Sequence, residues 1–151
     1  MPTEKAHGVQ IIKMCEALAG SGNKVELVLP RRHNYTKKTP FEYHGVEKSF
    51  KIKKFFCLDL IVLDKYLGNL GLWIENITFL LSVFPYILFK KADVVYTRDK
   101  LFLLFSLFKK NLIFEAHTFP KNYFLYRPFL KRLKGMVAIT QGLKNFFIEK
   151  G

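Results

Sequence analysis

The segment from Lys90 to Pro120, KKADVVYTRDKLFLLFSLFKKNLIFEAHTFP, constrains the fold of this chain more than any other. Val94-Val95-Tyr96 is a short β-branched and aromatic run, which predicts a strand. Thr97-Arg98-Asp99 follows, and the Asp99 carboxylate is placed to cap a helix starting at Lys100. Leu101 to Phe108 is apolar almost all round, so that helix must be largely buried. Lys109 and Lys110 suit its C-terminal end, where unpaired carbonyls carry partial negative charge. Leu112-Ile113-Phe114 then opens a second apolar strand that ends in Glu115-Ala116-His117. Two apolar strands joined by a helix predict a right-handed parallel unit. Ligands of such sheets sit outside the carboxyl ends of the strands, and Thr97, Arg98, Asp99, Glu115 and His117 all fall at those ends.

The same alternation extends to both sides. Upstream, Ala6-His7-Gly8 precedes a predicted helix from about Val9 to Ala19, with Ile11, Ile12, Met14, Cys15, Leu18 and Ala19 on one arc. Gly20-Ser21-Gly22 ends it, because glycine tolerates the left-handed cap. Val25 to Leu29 reads as a strand closed by Pro30, Arg31 to His44 as a polar loop, and the region around Val46–Ile52 as a further strand. Leu67 to Phe89 is the most apolar stretch, with Glu75 its only charge, and it is long enough to span a bilayer. Glu75 and Asn76 inside it, the interruption at Pro85 and the strand that follows directly argue for a buried or membrane-skimming helix instead. Its flanking Lys65, Lys90 and Lys91 suit anionic headgroups. Downstream, Tyr123 to Leu133 is aromatic and basic and reads as helical after Pro128. Met136 to Ile139 is a strand, and Thr140 caps a helix from Gln141 to Lys150 that stops at Gly151. The pattern as a whole predicts an α/β fold with a parallel sheet and helices on both of its faces.

Charge narrows the partners. The chain carries 25 Lys and Arg against 12 Asp and Glu, a formal net charge of +13, which favours an anionic partner such as a membrane surface, nucleic acid or a phosphorylated ligand. A solvated basic surface is the plainer explanation of the same charge. Half the residues are hydrophobic, which excludes a disordered chain. Cys15 and Cys57 fit no metal-site spacing and are too few for a disulfide framework, so a reducing cytosol is expected. The opening residues, MPTEKAHG, have no apolar signal core, and no secretory leader is expected.

Several residues are candidates for chemistry, each beside a plainer role. Gly8 lies at a helix start, where unpaired N–H groups and positive potential can hold phosphate. Most helix starts hold none, and no complete G-x-G-x-x-G is present. His117 at a strand end can bond a sugar hydroxyl or move a proton, or merely cap a loop. Strand alternation puts Glu115 on the same face, where it can orient the imidazole. Arg98 is a fork donor for phosphate or carboxylate, or else a salt-bridge partner of Asp99 or Glu115. Tyr123, Tyr126 and Arg127 can stack on a ring or lie at a membrane interface, or simply cover core. His33 and His44 sit in polar loops with no assigned role. No nucleophile elbow, zinc motif or Walker loop occurs.

Four segments, MPTEKAHGVQIIKMCEALAGSGNKVELVLP, ADVVYTRD, LIFEAHTFP and MVAITQGLKNFFIEKG, resemble in order and spacing the N-terminal domain of glycosyltransferase family 4. The resemblance is weakest from Arg31 to Leu67. It implies a Rossmann-like domain forming the acceptor-side half of a GT-B enzyme that transfers a sugar with retention from a nucleotide-sugar donor to a glycan or lipid-linked acceptor. No metal is expected. It implies that Gly8 approaches the donor diphosphate, that His117 contacts the transferred sugar or acceptor near the reacting centre, and that Arg98, with Glu115, lines the acceptor side. It also implies a first strand before Met1 and a donor-binding domain after Gly151, so that residues 1–151 would be a partial N-terminal domain, inactive alone. Val25–Leu29 and Val94–Thr97 would then not pair with each other. A cytoplasmic protein, peripheral at the inner face of the membrane, is the expected setting. The competing expectation is a non-catalytic basic module that binds anionic membrane or nucleic acid, although nucleic acid is not expected on the glycosyltransferase reading. A third is a small protein that spans the membrane once at Leu67–Phe89.

Overall fold

The computed structural model describes residues 6–33, 36–60, 66 and 68–151. In chain order the elements are α1 (Ala6–Gly20), β1 (Glu26–Pro30), α2 (Pro40–His44), β2 (Lys51–Phe55), α3 (Leu70–Phe89), β3 (Val95–Thr97), a 3-10 helix (Lys100–Leu107), β4 (Leu112–Ala116), α4 (Tyr123–Leu130), β5 (Gly135–Ala138) and α5 (Gln141–Lys150). The fold is mixed α/β with small parallel sheets: β1 pairs with β2, and β4 lies between β3 and β5. Among the described residues no ladder joins β1 to β3. The chain forms two compact units that divide between Val83 and Phe84.

In the first unit α1 begins at Ala6, earlier than the expected Val9, because neither Ala6 nor His7 opposes helix. Gly8 therefore lies inside the first turn, where it is buried. β1 and β2 run parallel, from Glu26 opposite Lys51 to Pro30 opposite Phe55. The second strand thus lies later than the expected Val46–Ile52. Gly45, at φ +58°, turns the chain out of α2, and Val46 and Phe50 are buried from the connecting loop instead of from a strand. α2 itself falls in a stretch expected to be loop. Thr39 Oγ1 accepts from Glu42 N at 3.3 Å and Glu42 Oε2 accepts from Thr39 N at 2.9 Å, a reciprocal cap in front of Pro40. The core is Ile12, Cys15, Val46 and Phe50, flanked by Val25, Leu27, Phe41 and Ile52.

α3 crosses the division between the units, and its first part belongs to the first. Thr78 Oγ1 accepts from Leu58 N at 3.0 Å and Ser82 Oγ donates to Phe56 O at 2.6 Å, so two small hydroxyls bind an extended segment along the helix. Glu75 is fully buried and pairs with Arg32 Nε. Pro85 does not interrupt the helix as expected. The carbonyl it leaves unpaired belongs to Leu81, a residue 67% exposed, so water can satisfy it. By length and composition α3 can cross a membrane.

In the second unit all three strands are parallel, with Val95 opposite Leu112 and Ile113 opposite Gly135. β4, the central strand, is buried along most of its length. The crossover from β3 is a 3-10 helix capped by Asp99, whose Oδ1 accepts from Leu101 N at 2.9 Å. A 3-10 helix rises about 2.0 Å per residue against about 1.5 Å for α, so a short connection covers more of the strand length. α4 begins at Tyr123, before Pro128 and not after it. Phe124, whose carbonyl loses its partner there, is 72% exposed and open to water. Thr140 Oγ1 accepts from Leu143 N at 3.2 Å to start α5, and Gly151 ends it at φ +78°. Leu103, Phe114, Ala116, Leu143 and Phe147 form the core, with Tyr123, Tyr126 and Phe129 packed on it. Each large apolar side chain so buried contributes about 1.5–3 kcal/mol.

Candidate functional site

The register of β3 and β4 builds a polar cluster at the carboxyl edge of the second sheet. Thr97 lies opposite Phe114, so Arg98, just past the end of β3, comes beside Glu115, which still pairs with Val137 of β5. Alternation places Tyr96 with Arg98, and Glu115 with His117. Glu115 is the hub. Its Oε2 accepts from the Tyr96 hydroxyl at 2.6 Å and from Arg98 Nε at 2.8 Å, and its Oε1 accepts from His117 Nε2 at 2.8 Å. The carboxylate is 4% exposed, while the side chains of Arg98 and His117 are 16% and 31% exposed. The cluster is thus anchored inside and open at its rim.

The electrostatics follow from that geometry. Burial pushes the Glu115 carboxyl up, but hydrogen bonds from Tyr96 and Arg98, with the charges of Arg98 and His117, outweigh it and hold the group below the ordinary glutamate value. Burial, and then the hydrogen bond to Glu115, push the Tyr96 phenol well above its ordinary value, so it stays a donor. Nε2 of His117 faces the carboxylate, which leaves Nδ1 as the ring nitrogen that Glu115 does not hold. Near the same edge Lys100 Nζ donates to Thr118 Oγ1 at 3.1 Å. The result is a cluster in which one buried carboxylate orients a phenol, a guanidinium and an imidazole.

Arg98, Glu115 and His117, the residues singled out from sequence at this edge, are brought together, and the salt bridge weighed for Arg98 is made with Glu115. Gly8 belongs to the first unit, buried in the first turn of α1. Tyr96 was not singled out, although its place two residues before Arg98 puts it on the same face. Tyr123 and Tyr126 pack on the core. In the first unit His44 lies in α2, its Nε2 buried and without a hydrogen-bond partner among the described residues, and burial lowers its pKa. Cys15 and Cys57 are buried thiols not joined in a disulfide, and burial raises the pKa of Cys57. Among the described residues no group of three or more His, Cys, Asp or Glu side chains is placed to hold a metal ion.

No family model, curated protein or solved structure matches the chain.

Proposed function

We propose that this chain belongs to the acceptor side of a retaining glycosyltransferase of the family 4 type, with a Rossmann-like, GT-B architecture. The observation that supports this reading best is the hub of Glu115 at the carboxyl edge of a parallel sheet, holding Tyr96, Arg98 and His117 in fixed orientations. Sugar hydroxyls both donate and accept, and such a rim offers both functions with little reorganisation on binding. His117 contacts the sugar through the ring edge that Glu115 does not hold, and Arg98 lines the acceptor side. Glu115 acts through both as a positioning residue. The donor is a nucleotide sugar, whose diphosphate the resemblance assigns to Gly8 in the first turn of α1. No metal enters this reading.

Binding is the direct test, because it separates the site from any requirement for a further domain. Nucleotide sugars and oligosaccharides titrated into the whole chain, with the imidazole resonances followed by NMR, should shift the His117 signals. His117→Ala should weaken the bound sugar by about 10-fold, the order of one lost hydrogen bond. Sugar ligands that bind without touching His117, or none that bind at all, sink the assignment.

A further inference from the structure

Because β3, β4 and β5 are parallel, their lead-in segments emerge together at the amino-terminal edge of the sheet, opposite Glu115 and His117. All three lead-ins are basic. Lys90-Lys91 precede β3, Lys109-Lys110 precede β4, and Lys131-Arg132-Leu133-Lys134 precede β5, with Asp93 the sole acidic residue among them. Hydrogen bonds clamp them to one another: Lys109 Nζ donates to Lys90 O at 3.0 Å, Val95 N to Asn111 O at 3.1 Å, and Lys134 N to Leu112 O at 2.8 Å. Like charges are therefore held together by the topology, at a cost in mutual repulsion that a merely solvated surface would avoid by dispersing them.

The apolar groups at this edge are as unusual as the charges. Each lysine pair follows a phenylalanine, Phe89-Lys90-Lys91 and Phe108-Lys109-Lys110. Phe89 is 81% exposed, Phe108 55% and Leu107 45%. Leu88, Phe89, Lys90, Lys91 and Lys109 line an open hollow of about 510 Å³.

We propose that this edge docks the chain on an anionic phospholipid bilayer, with Phe89, Leu107 and Phe108 entering the headgroup boundary and the lysines pairing with lipid phosphates. The inference does not depend on sugar transfer, which is assigned to the opposite edge. Charge complementarity selects the occupant. The cations are almost all lysines, compact and strongly hydrated, which suit the diffuse charge of a lipid surface; Arg132 is the only fork donor in the three lead-ins. Leu88 and Leu107 add aliphatic surface beside Phe89 and Phe108, which suits acyl chains.

Cosedimentation of the whole chain with vesicles tests this. It should bind vesicles containing about one-third phosphatidylglycerol and ignore pure phosphatidylcholine. Neutralising the edge in one variant, Lys90→Gln, Lys91→Gln, Lys109→Gln and Lys110→Gln together, should weaken binding by about 100-fold or more, at roughly 5-fold per lysine. The same neutralisation elsewhere, at Lys13, Lys24, Lys144 and Lys150, should cost less than about 5-fold. Phe89→Ser, at an exposed site that leaves folding intact by circular dichroism, should weaken vesicle binding by about 10-fold. Equal losses from the two lysine variants overturn the proposal, as does vesicle binding indifferent to Phe89→Ser. So does a single-stranded RNA that binds through the same lysines while the vesicles do not.

Discussion

Each unit buries one glutamate against an arginine, and the two pairs are built differently. Glu75, in the second turn of α3, is wholly buried; Arg32 meets one of its oxygens, and the other, Oε2, has no partner among the described residues. Glu115, at the mouth of a parallel sheet, has both oxygens satisfied, by three side chains of which two reach the rim. The first arrangement leaves a buried acceptor idle and ties a loop to a helix. The second spends its carboxylate on orienting other polar groups. A carboxylate that only bridges two elements can be exchanged for packing, whereas one that positions several donors cannot. The difference is why the second pair, and not the first, is the candidate site.

The largest effect should come from breaking the first pair on one side only. Arg32→Met leaves Glu75 buried without a counter-charge and should cost about 3 kcal/mol. The double variant Arg32→Met, Glu75→Met should recover to within about 1 kcal/mol of the parent or exceed it, since well-packed apolar groups often replace a buried ion pair at no loss. Trp73, the only tryptophan and a neighbour on α3, reports this unit in a urea titration. A double variant as unstable as the single would mean that Glu75 does more than pair.

The second pair should fail the same exchange. Glu115→Met strips the common acceptor from Tyr96, Arg98 and His117 and should cost about 2 kcal/mol. Adding Arg98→Met should not restore it, because the phenol and imidazole remain without their acceptor. Hydrogen exchange of the β3, β4 and β5 amides measures the loss in this unit alone. Recovery in that double variant would erase the contrast between the two glutamates.

How much of this could be read in advance differs between the units for a physical reason. The cluster at Glu115 follows from local periodicities: alternation puts Glu115 with His117, and Asp99 and Thr140 cap the helices that begin after them. Tyr96 needed one further step, the β3–β4 register, which pairing fixes and composition does not. In the first unit the deciding contacts are distant in sequence. Arg32 and Glu75 lie 43 residues apart, and no periodicity links a loop arginine to a helical glutamate. α2 was readable, since Thr39-Pro40-Phe41-Glu42 has the spacing of a reciprocal cap, but the charge of the surrounding stretch pointed to loop. Val46 and Phe50 misplaced β2 because a loop can bury apolar residues as well as a strand can.

Acidity should separate the pairs more gently. The Glu115 pKa is lowered in the folded chain, so its contribution to stability is present in full above the ordinary glutamate value of about 4.3. It is lost as pH falls through the depressed folded value. Tyr96 has the opposite sign: its raised pKa gives a contribution present below about pH 10 and lost as pH rises beyond it. Glu115→Gln should flatten the acid limb measured by amide exchange in β4. An acid limb unchanged in that variant would assign the acid loss to other carboxylates.

The smallest effect on stability should be the most informative for function. His117 makes one hydrogen bond to Glu115, and its side chain is 31% exposed. When it is removed, Glu115 keeps Tyr96 and Arg98 on Oε2, and water can reach the vacated side of Oε1 from the rim. His117→Ala should therefore change stability by no more than about 0.5 kcal/mol, as expected of a substitution at a partly open site. Glu115→Ala, by contrast, should damage stability and ligand binding together, because it removes the group that orients all the others. If the rim exists to meet a ligand, the two variants must split: both lose sugar binding, and only Glu115→Ala loses stability. The pair is measured by urea midpoint and by NMR titration on the same samples. A His117→Ala variant that is destabilised by 2 kcal/mol or more would make His117 part of the anchor and leave the rim without its acceptor.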